Sequence, residues 1–213
     1  MLDADDEGRR VFVGHEPSPH YVQAVAFSPD GRTIAASTFN REQPDTNHVS
    51  IWDWKAEKVL HQIGSVSVRS LAYDAAGERL ALGFSDGKVE IRDASTGDIE
   101  RSFGAGSVTV MSVVFSPDGE LLATSGEDGA VRVFDTHAQS GAQQLVLRGH
   151  QFLVSGLDFG PDGKTLASAG PGGLARVWAL DVDQLITIAH DEVTRGLTDD
   201  ECRQYLHLED GCA

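Results

Sequence analysis

The chain is poor in three things, and each shortage closes off a class of protein. Of its 213 residues only two are cysteines, Cys202 and Cys212, and both lie near the C-terminus. A disulfide framework therefore cannot hold the fold, and without an export signal two free thiols are the expected state. Cations are scarce as well: 17 Lys and Arg stand against 33 Asp and Glu, a net charge of −16, with no basic block. Tight binding to nucleic acid needs clustered cations against phosphate, so it is excluded, and the same field repels anionic lipid. Long apolar runs are missing too. Nothing approaches the roughly 20 residues of a membrane span, and the opening MLDADDEGRR has neither a basic n-region nor an apolar h-region. The expectation is a cytoplasmic chain.

Motifs for bound groups are also lacking. The eight histidines show no H-x-x-H or H-E-x-x-H spacing, and no D-x-D-x-D-G loop or G-x-x-x-x-G-K-[ST] loop occurs. No cofactor or metal is expected.

What is present is repetition. Residues 108 to 135, VTVMSVVFSPDGELLATSGEDGAVRVFD, hold three short apolar runs separated by two Gly-ended turns. Alternation with period two marks the runs as strands, and Ser-Pro-Asp-Gly supplies the fixed φ and the φ > 0 that a tight turn needs. The plan recurs at 22 to 53, 68 to 93 and 154 to 179. Its first-turn glycines, Gly31, Gly77, Gly119 and Gly163, are spaced by 46, 42 and 44 residues, a period that suits four-stranded units. An aromatic, Phe27, Tyr73, Phe115 or Phe159, stands just before each turn as a predicted core residue. One sizeable insertion, 39 to 47, replaces the second turn of the first copy.

The third strand of each copy ends in Trp52-Asp53, Arg92-Asp93, Phe134-Asp135 or Trp178-Ala179, and Gly14-His15 and Gly149-His150 precede the first and fourth copies. Over residues 9 to 180 the chain thus resembles the WD-repeat family. The resemblance implies an all-β fold of four β-propeller blades, each an antiparallel four-stranded sheet, making a partial or small propeller. Outer strands are expected at 58 to 63, 99 to 103 and 144 to 147, with 10 to 13 as an outer strand lacking an inner partner. The family's buried hydrogen-bond chain carries over unevenly. The fourth copy has His150, Ser168 and Trp178, with Gly172 where Asp is expected. The third has Thr124 and Asp128, with Phe134 for Trp and Ala105 for His. The second keeps only Asp86, and the first has His15 and Trp52. Stability is expected to rest on apolar burial between blades rather than on these bonds.

Three regions follow: an acidic segment, 1 to 8, expected to be disordered; the blades, 9 to 180; and a helical tail, 181 to 213. The tail's period shifts to about 3.6, with Asp181 as a cap, and Thr198 to Glu201 form a capping box. Its sequence GLTDDECRQYL resembles the short helical end of bacterial signalling proteins in which WD repeats follow a switch or kinase domain.

The function implied is a non-enzymatic scaffold or sensor surface for protein partners, with no nucleic acid or membrane involved. The family's usual contact positions map to Tyr21 and Gln23, Ser67 and Arg69, Thr109 and Met111, Leu153 and Ser155 at the starts of the inner strands, with Ser85 and Glu127 in the turns. The alternative is a small-molecule-binding or hydrolytic propeller with its site in the central channel. Against it, the strand starts carry mainly Gln, Arg, Met and Ser rather than converging His and carboxylates. Four copies leave three architectures open: a ring completed by a second copy or a complementing chain, an open arc, and a tight four-bladed ring.

Overall fold

The computed structural model describes residues 2–4, 10–12, 21–64, 67–106, 109–138 and 143–181. The predicted tail helices beyond Asp181, both cysteines and His15 lie outside these residues. Strand β1 (Leu2–Ala4) pairs antiparallel with β2 (Arg10–Phe12). Part of the acidic segment expected to be disordered is thus strand, because Leu2 and Ala4 lie in register with Phe12 and Arg10. Among the described strands, β2 pairs with β1 rather than with a blade.

The first blade is β3 (Tyr21–Phe27), β4 (Thr33–Phe39), β5 (His48–Asp53) and β6 (Lys58–Gly64). The second is β7 (Val68–Tyr73), β8 (Arg79–Phe84), β9 (Lys88–Asp93) and β10 (Ile99–Gly104). The third is β11 (Val110–Phe115), β12 (Leu121–Gly126), β13 (Ala130–Asp135) and β14 (Gln143–Arg148). Each is an antiparallel meander in chain order, with its outer strand where the sequence placed it. The fourth blade, β15 (Gly156–Phe159), β16 (Thr165–Gly170) and β17 (Leu174–Ala179), has three described strands rather than four. Asp53, Asp93 and Asp135 each accept the N–H groups two and three residues on through Oδ1, which turns the chain into the outer strand. Ala179 stands at that position in the fourth blade and can accept nothing through its side chain.

The first turns close by a shared device. The Ser28 hydroxyl donates to Asp30 at 2.6 Å and accepts the Thr33 N–H at 2.9 Å, while Gly31 supplies φ of +66°. Ser116, Asp118 and Leu121 repeat it in the third blade. The serine bonds hold the carboxyls of Asp30 and Asp118 below the ordinary range. In the second blade Asp74 replaces the serine, accepts the Glu78 and Arg79 N–H groups through Oδ1, and pairs with Arg79 Nε at 2.8 Å through Oδ2.

Blades pack face to face. One apolar cluster joins Ala35, Val49 and Ile51 of the first blade to Leu71, Leu80 and Leu82 of the second. Another joins Ala81, Val89 and Ile91 of the second to Val113, Leu122 and Phe134 of the third. The series runs β3 on β7, β7 on β11 and β11 on β15, but does not return to the first blade: Val25 and Phe27 at one end and Val177 at the other are exposed. The tight four-bladed ring is therefore excluded. For the same reason Phe27 is not the core residue that its repeat position predicts, whereas Phe115 and Phe159 are buried.

Arg79 crosses the gap between the second and third blades. Its Nη2 donates to the Gly119 carbonyl at 2.8 Å and its Nη1 to Thr136 Oγ1 at 3.2 Å, and its guanidinium lies 5.2 Å from the Phe115 ring centre. Replacing Arg79 with Ala leaves the buried Asp74 carboxylate with backbone partners on Oδ1 and without its ion pair on Oδ2, and should cost about 1.5–3 kcal/mol in chemical denaturation. Arg79→Lys should recover little of it, because a single ammonium cannot serve three acceptors set in a fork. An Arg79→Ala chain as stable as the parent would show that the blades are held together without this contact.

Candidate functional site

The inner strands of the first three blades each carry a register shift near the start, whereas β15 pairs with β16 in continuous register. Val22 pairs with Thr38 and Ala24 with Ser37, Val68 with Phe84 and Ser70 with Gly83, Val110 with Gly126 and Ser112 with Ser125. One residue per blade is left out of the ladder as a bulge: Gln23, Arg69 and Met111. Bulges of this kind recur at the rims of sheets and re-aim a side chain. All three are strand-start positions singled out from the sequence, and Ser155, the fourth counterpart, precedes β15 with its N–H on the Ala169 carbonyl.

The remaining positions knit this rim. The Ser85 N–H donates to the Ser67 carbonyl at 3.0 Å, the Thr109 hydroxyl to the Ser85 carbonyl at 3.1 Å, and the Glu127 N–H to the Thr109 carbonyl at 3.4 Å. Between the third and fourth blades Val154 N–H reaches the Gly126 carbonyl, and Ser125 Oγ donates to the Val154 carbonyl at 2.8 Å. Ser67 is buried by these contacts, and Ser85, Thr109 and Leu153 are half-buried. Tyr21, Arg69, Glu127 and Ser155 are exposed, with Gln23 and Met111 partly so. Ser67 therefore serves the rim as a backbone acceptor rather than as a contact side chain.

The insertion of the first blade belongs to the same end, since it replaces the turn corresponding to Ser85–Gly87 and Glu127–Gly129. Two buried asparagines order it. Asn47 Oδ1 accepts the Asn40 N–H at 2.6 Å, and Asn40 Oδ1 accepts those of Glu42 and Gln43. A single 3-10 turn, Pro44–Thr46, follows, and residues 41 to 46 are exposed.

The structural residues form distinct sets. In the fourth blade His150 Nε2 and Ser168 Oγ lie 2.8 Å apart, and Trp178 Nε1 donates to the same Oγ at 2.8 Å. Burial, and then the neighbouring Arg176 charge, hold the His150 pKa below its ordinary value. In the third blade Asp128 takes a partner that the sequence reading missed: Arg132 donates to both of its oxygens, at 3.2 and 2.5 Å, and holds its carboxyl below the ordinary range. His150 and Asp128 thus sit in separate pairs. Thr124 is buried opposite Arg132 in the ladder. In the second blade Asp86 is exposed and accepts only the Lys88 N–H among the bonds shown, while Glu90, buried, lies between Lys88 and Arg92 at 2.5 and 2.6 Å. Trp52 is half-buried. One sequence signal could have revealed the substitutes: the position two before the third-strand aromatic reads Ser50, Glu90, Arg132 and Arg176, charged in three copies.

The family model for the WD domain, G-beta repeat, matches residues 7–53, 97–135 and 141–179. The chain belongs to the WD40 family. The stretch between the first two matches holds β7 to β9 of the second blade, where Leu82 and Arg92 replace the hydroxyl and the Trp. Solved structures share this fold. The Mitotic Checkpoint Complex matches with a TM-score of 0.71 at 19% identity, over 82% of this chain and 55% of that one. The RRP9 WD40 repeats match with a TM-score of 0.66 at 22% identity, over 76% and 49%, and U3-55K with 0.66 at 22%, over 77% and 50%. The WD40 chain described here therefore spans about half the length of the solved chains it matches. No curated protein matches it.

Ser168→Ala removes the shared acceptor of the fourth blade and leaves the Trp178 N–H without it, so stability should fall by about 1–3 kcal/mol. The His150 contribution has a definite sign. Its pKa is lowered in the folded chain, so between that value and 6.5 the unfolded chain binds more protons, and stability falls as pH drops through this window. The carboxylates with lowered pKa act only below about 4, so the two regimes separate. Thermal melts taken over about two pH units around the histidine range should fall less steeply toward acid for His150→Asn than for the parent. Parallel slopes would contradict the assignment.

Proposed function

We propose that this WD40 chain is a non-catalytic protein-interaction module whose partner docks on the rim at the starts of the inner strands. The observation that carries the reading is the coincidence of bulge and position: Gln23, Arg69 and Met111, one in each of the first three blades, leave their ladders at this rim. A bulged residue surrounded by a hydrogen-bonded frame presents its side chain without ordering cost at the moment of binding. Arg is among the residue types that dominate interface energetics, and Met is enriched in interface cores. The ordered insertion at 39 to 47 extends the same surface, in keeping with specificity carried by loops on a rigid scaffold.

The partner is a protein. The net charge of −16 disfavours nucleic acid and anionic lipid. A solved structure with this fold is, by its title, a complex. The tail sequence GLTDDECRQYL supports a place in a bacterial signalling architecture, working in the cytoplasm.

Replacing Arg69 and Met111 together with Ala should reduce partner capture by at least about tenfold, the loss expected on removing a hot-spot pair. The melting temperature should stay within a few degrees of the parent's, because neither residue is in a ladder. Asp162→Ala with Lys164→Ala, in the first turn of the fourth blade, is the matched control. Proteins captured on each immobilised chain would be quantified by mass spectrometry. Equal capture by the rim variant and the control would remove the rim from consideration.

A further inference from the structure

The four repeats supply an internal control for the surfaces at the two ends of the blade series. On the face turned toward the preceding blade, Val25, Leu71 and Val113 are equivalent residues of the first three blades. Leu71 is 8% and Val113 4% exposed, whereas Val25 is 66% exposed. Phe27 is 61% exposed, against 6% for its third-blade equivalent Phe115. On the opposite face Ile51, Ile91 and Val133 are covered by the next blade, while Val177, their fourth-blade equivalent, is 75% exposed. Ala175 is exposed where Val49, Val89 and Val131 are fully buried, and Ala167 is exposed where Ala35, Ala81 and Ala123 are fully buried.

These two surfaces are the halves of one interface that the chain already makes internally. Between the second and third blades Ala81, Val89 and Ile91 meet Val113, Phe115 and Leu122 in a single cluster. The same positions at the chain's ends are Ala167, Ala175 and Val177 on the last blade and Val25, Phe27 and Ile34 on the first. The residue types match: small and β-branched on one side, branched and aromatic on the other. Contiguous apolar area of this kind on a soluble chain marks a surface that another surface covers.

We infer that the occupant is a second copy of this chain, docked head to tail, with the last blade of each copy against the first blade of the other. The contact is heterologous, and two copies make it twice. The resulting eight blades fall at the upper end of the 4 to 8 over which propellers close. A like-to-like contact would set Val25 and Phe27 against themselves, an arrangement that no internal blade pair uses. The charge of −16 on each copy opposes association, so added salt strengthens it.

Light scattering and sedimentation of the full chain over a concentration series test this. The parent should reach twice the chain mass, and more readily at higher salt. V25E and V177E each place a charge in the contact while sitting on exposed positions, so circular dichroism should show both folded, and each alone should remain monomeric. Mixed in equal amounts they should associate again, because the intact last blade of V25E meets the intact first blade of V177E. Ala175→Glu in place of V177E should give the same result. A parent that stays monomeric at every concentration overturns the inference, as does a dimer that neither charge disrupts. So does a mixture that fails to re-associate, and so does a mass that climbs past two copies. A monomeric parent whose melt is lowered by V177E would show that another part of the chain covers the last blade. None of these readings depends on partner capture at the strand-start rim.

Discussion

A sheet whose two faces are both apolar must be covered on both, and this requirement governs the whole chain. The middle blades meet it fully: Leu80, Leu82, Val89, Ile91, Leu122, Val131 and Val133 are essentially inaccessible to water. Burying one such side chain contributes about 1.5–3 kcal/mol, whereas a typical hydrogen bond nets nearer 1. The second blade shows which term dominates. It has lost the hydroxyl and the Trp of its family's hydrogen-bond chain, with Leu82 and Arg92 in their places, and is nonetheless among the best-buried units.

Polar positions that lost their family partners have been supplied with others. Asp128 lacks a histidine and pairs with Arg132 four residues on, and Glu90 is enclosed by Lys88 and Arg92. Buried ion pairs are weak sources of stability because desolvation offsets attraction, but an unpaired buried charge is costly. Arg79 extends the same logic across blades, tying Asp74 to Gly119 and Thr136. The packed, cross-linked middle of the series holds the rim on which Arg69 and Met111 stand out of their ladders.

Much of this was legible in the sequence, for definite reasons. Turn glycines such as Gly31 and Gly119 must adopt φ > 0, and strands alternate with period two, so the blades and the outer strands at 58, 99 and 144 could be placed to within a residue. The Asp of the WD dipeptide reads through to the turn that follows it, as Asp53, Asp93 and Asp135 show. The His150, Ser168 and Trp178 contacts follow from the family motif. Other features depend on neighbours that no local pattern contains. Phe27 has the same sequence setting as Phe115, but among the described residues no blade covers its face. The bulges at Gln23, Arg69 and Met111 appear only once strands are in register. β1 was missed because three residues in an acidic stretch carry no periodicity.

The central claim is that covered faces, rather than hydrogen-bond chains, set stability along the chain. Native-state amide hydrogen exchange tests it most directly, because it reads local opening blade by blade. It is best measured on the chain carrying both V25E and V177E, so that self-association does not enter. The slowest amides should lie in β8, β9, β12 and β13, whose blades are covered on both faces, and β3, β16 and β17 should exchange faster. Slowest exchange in the fourth blade, which alone joins His150, Ser168 and Trp178 but has one open face, would contradict the account.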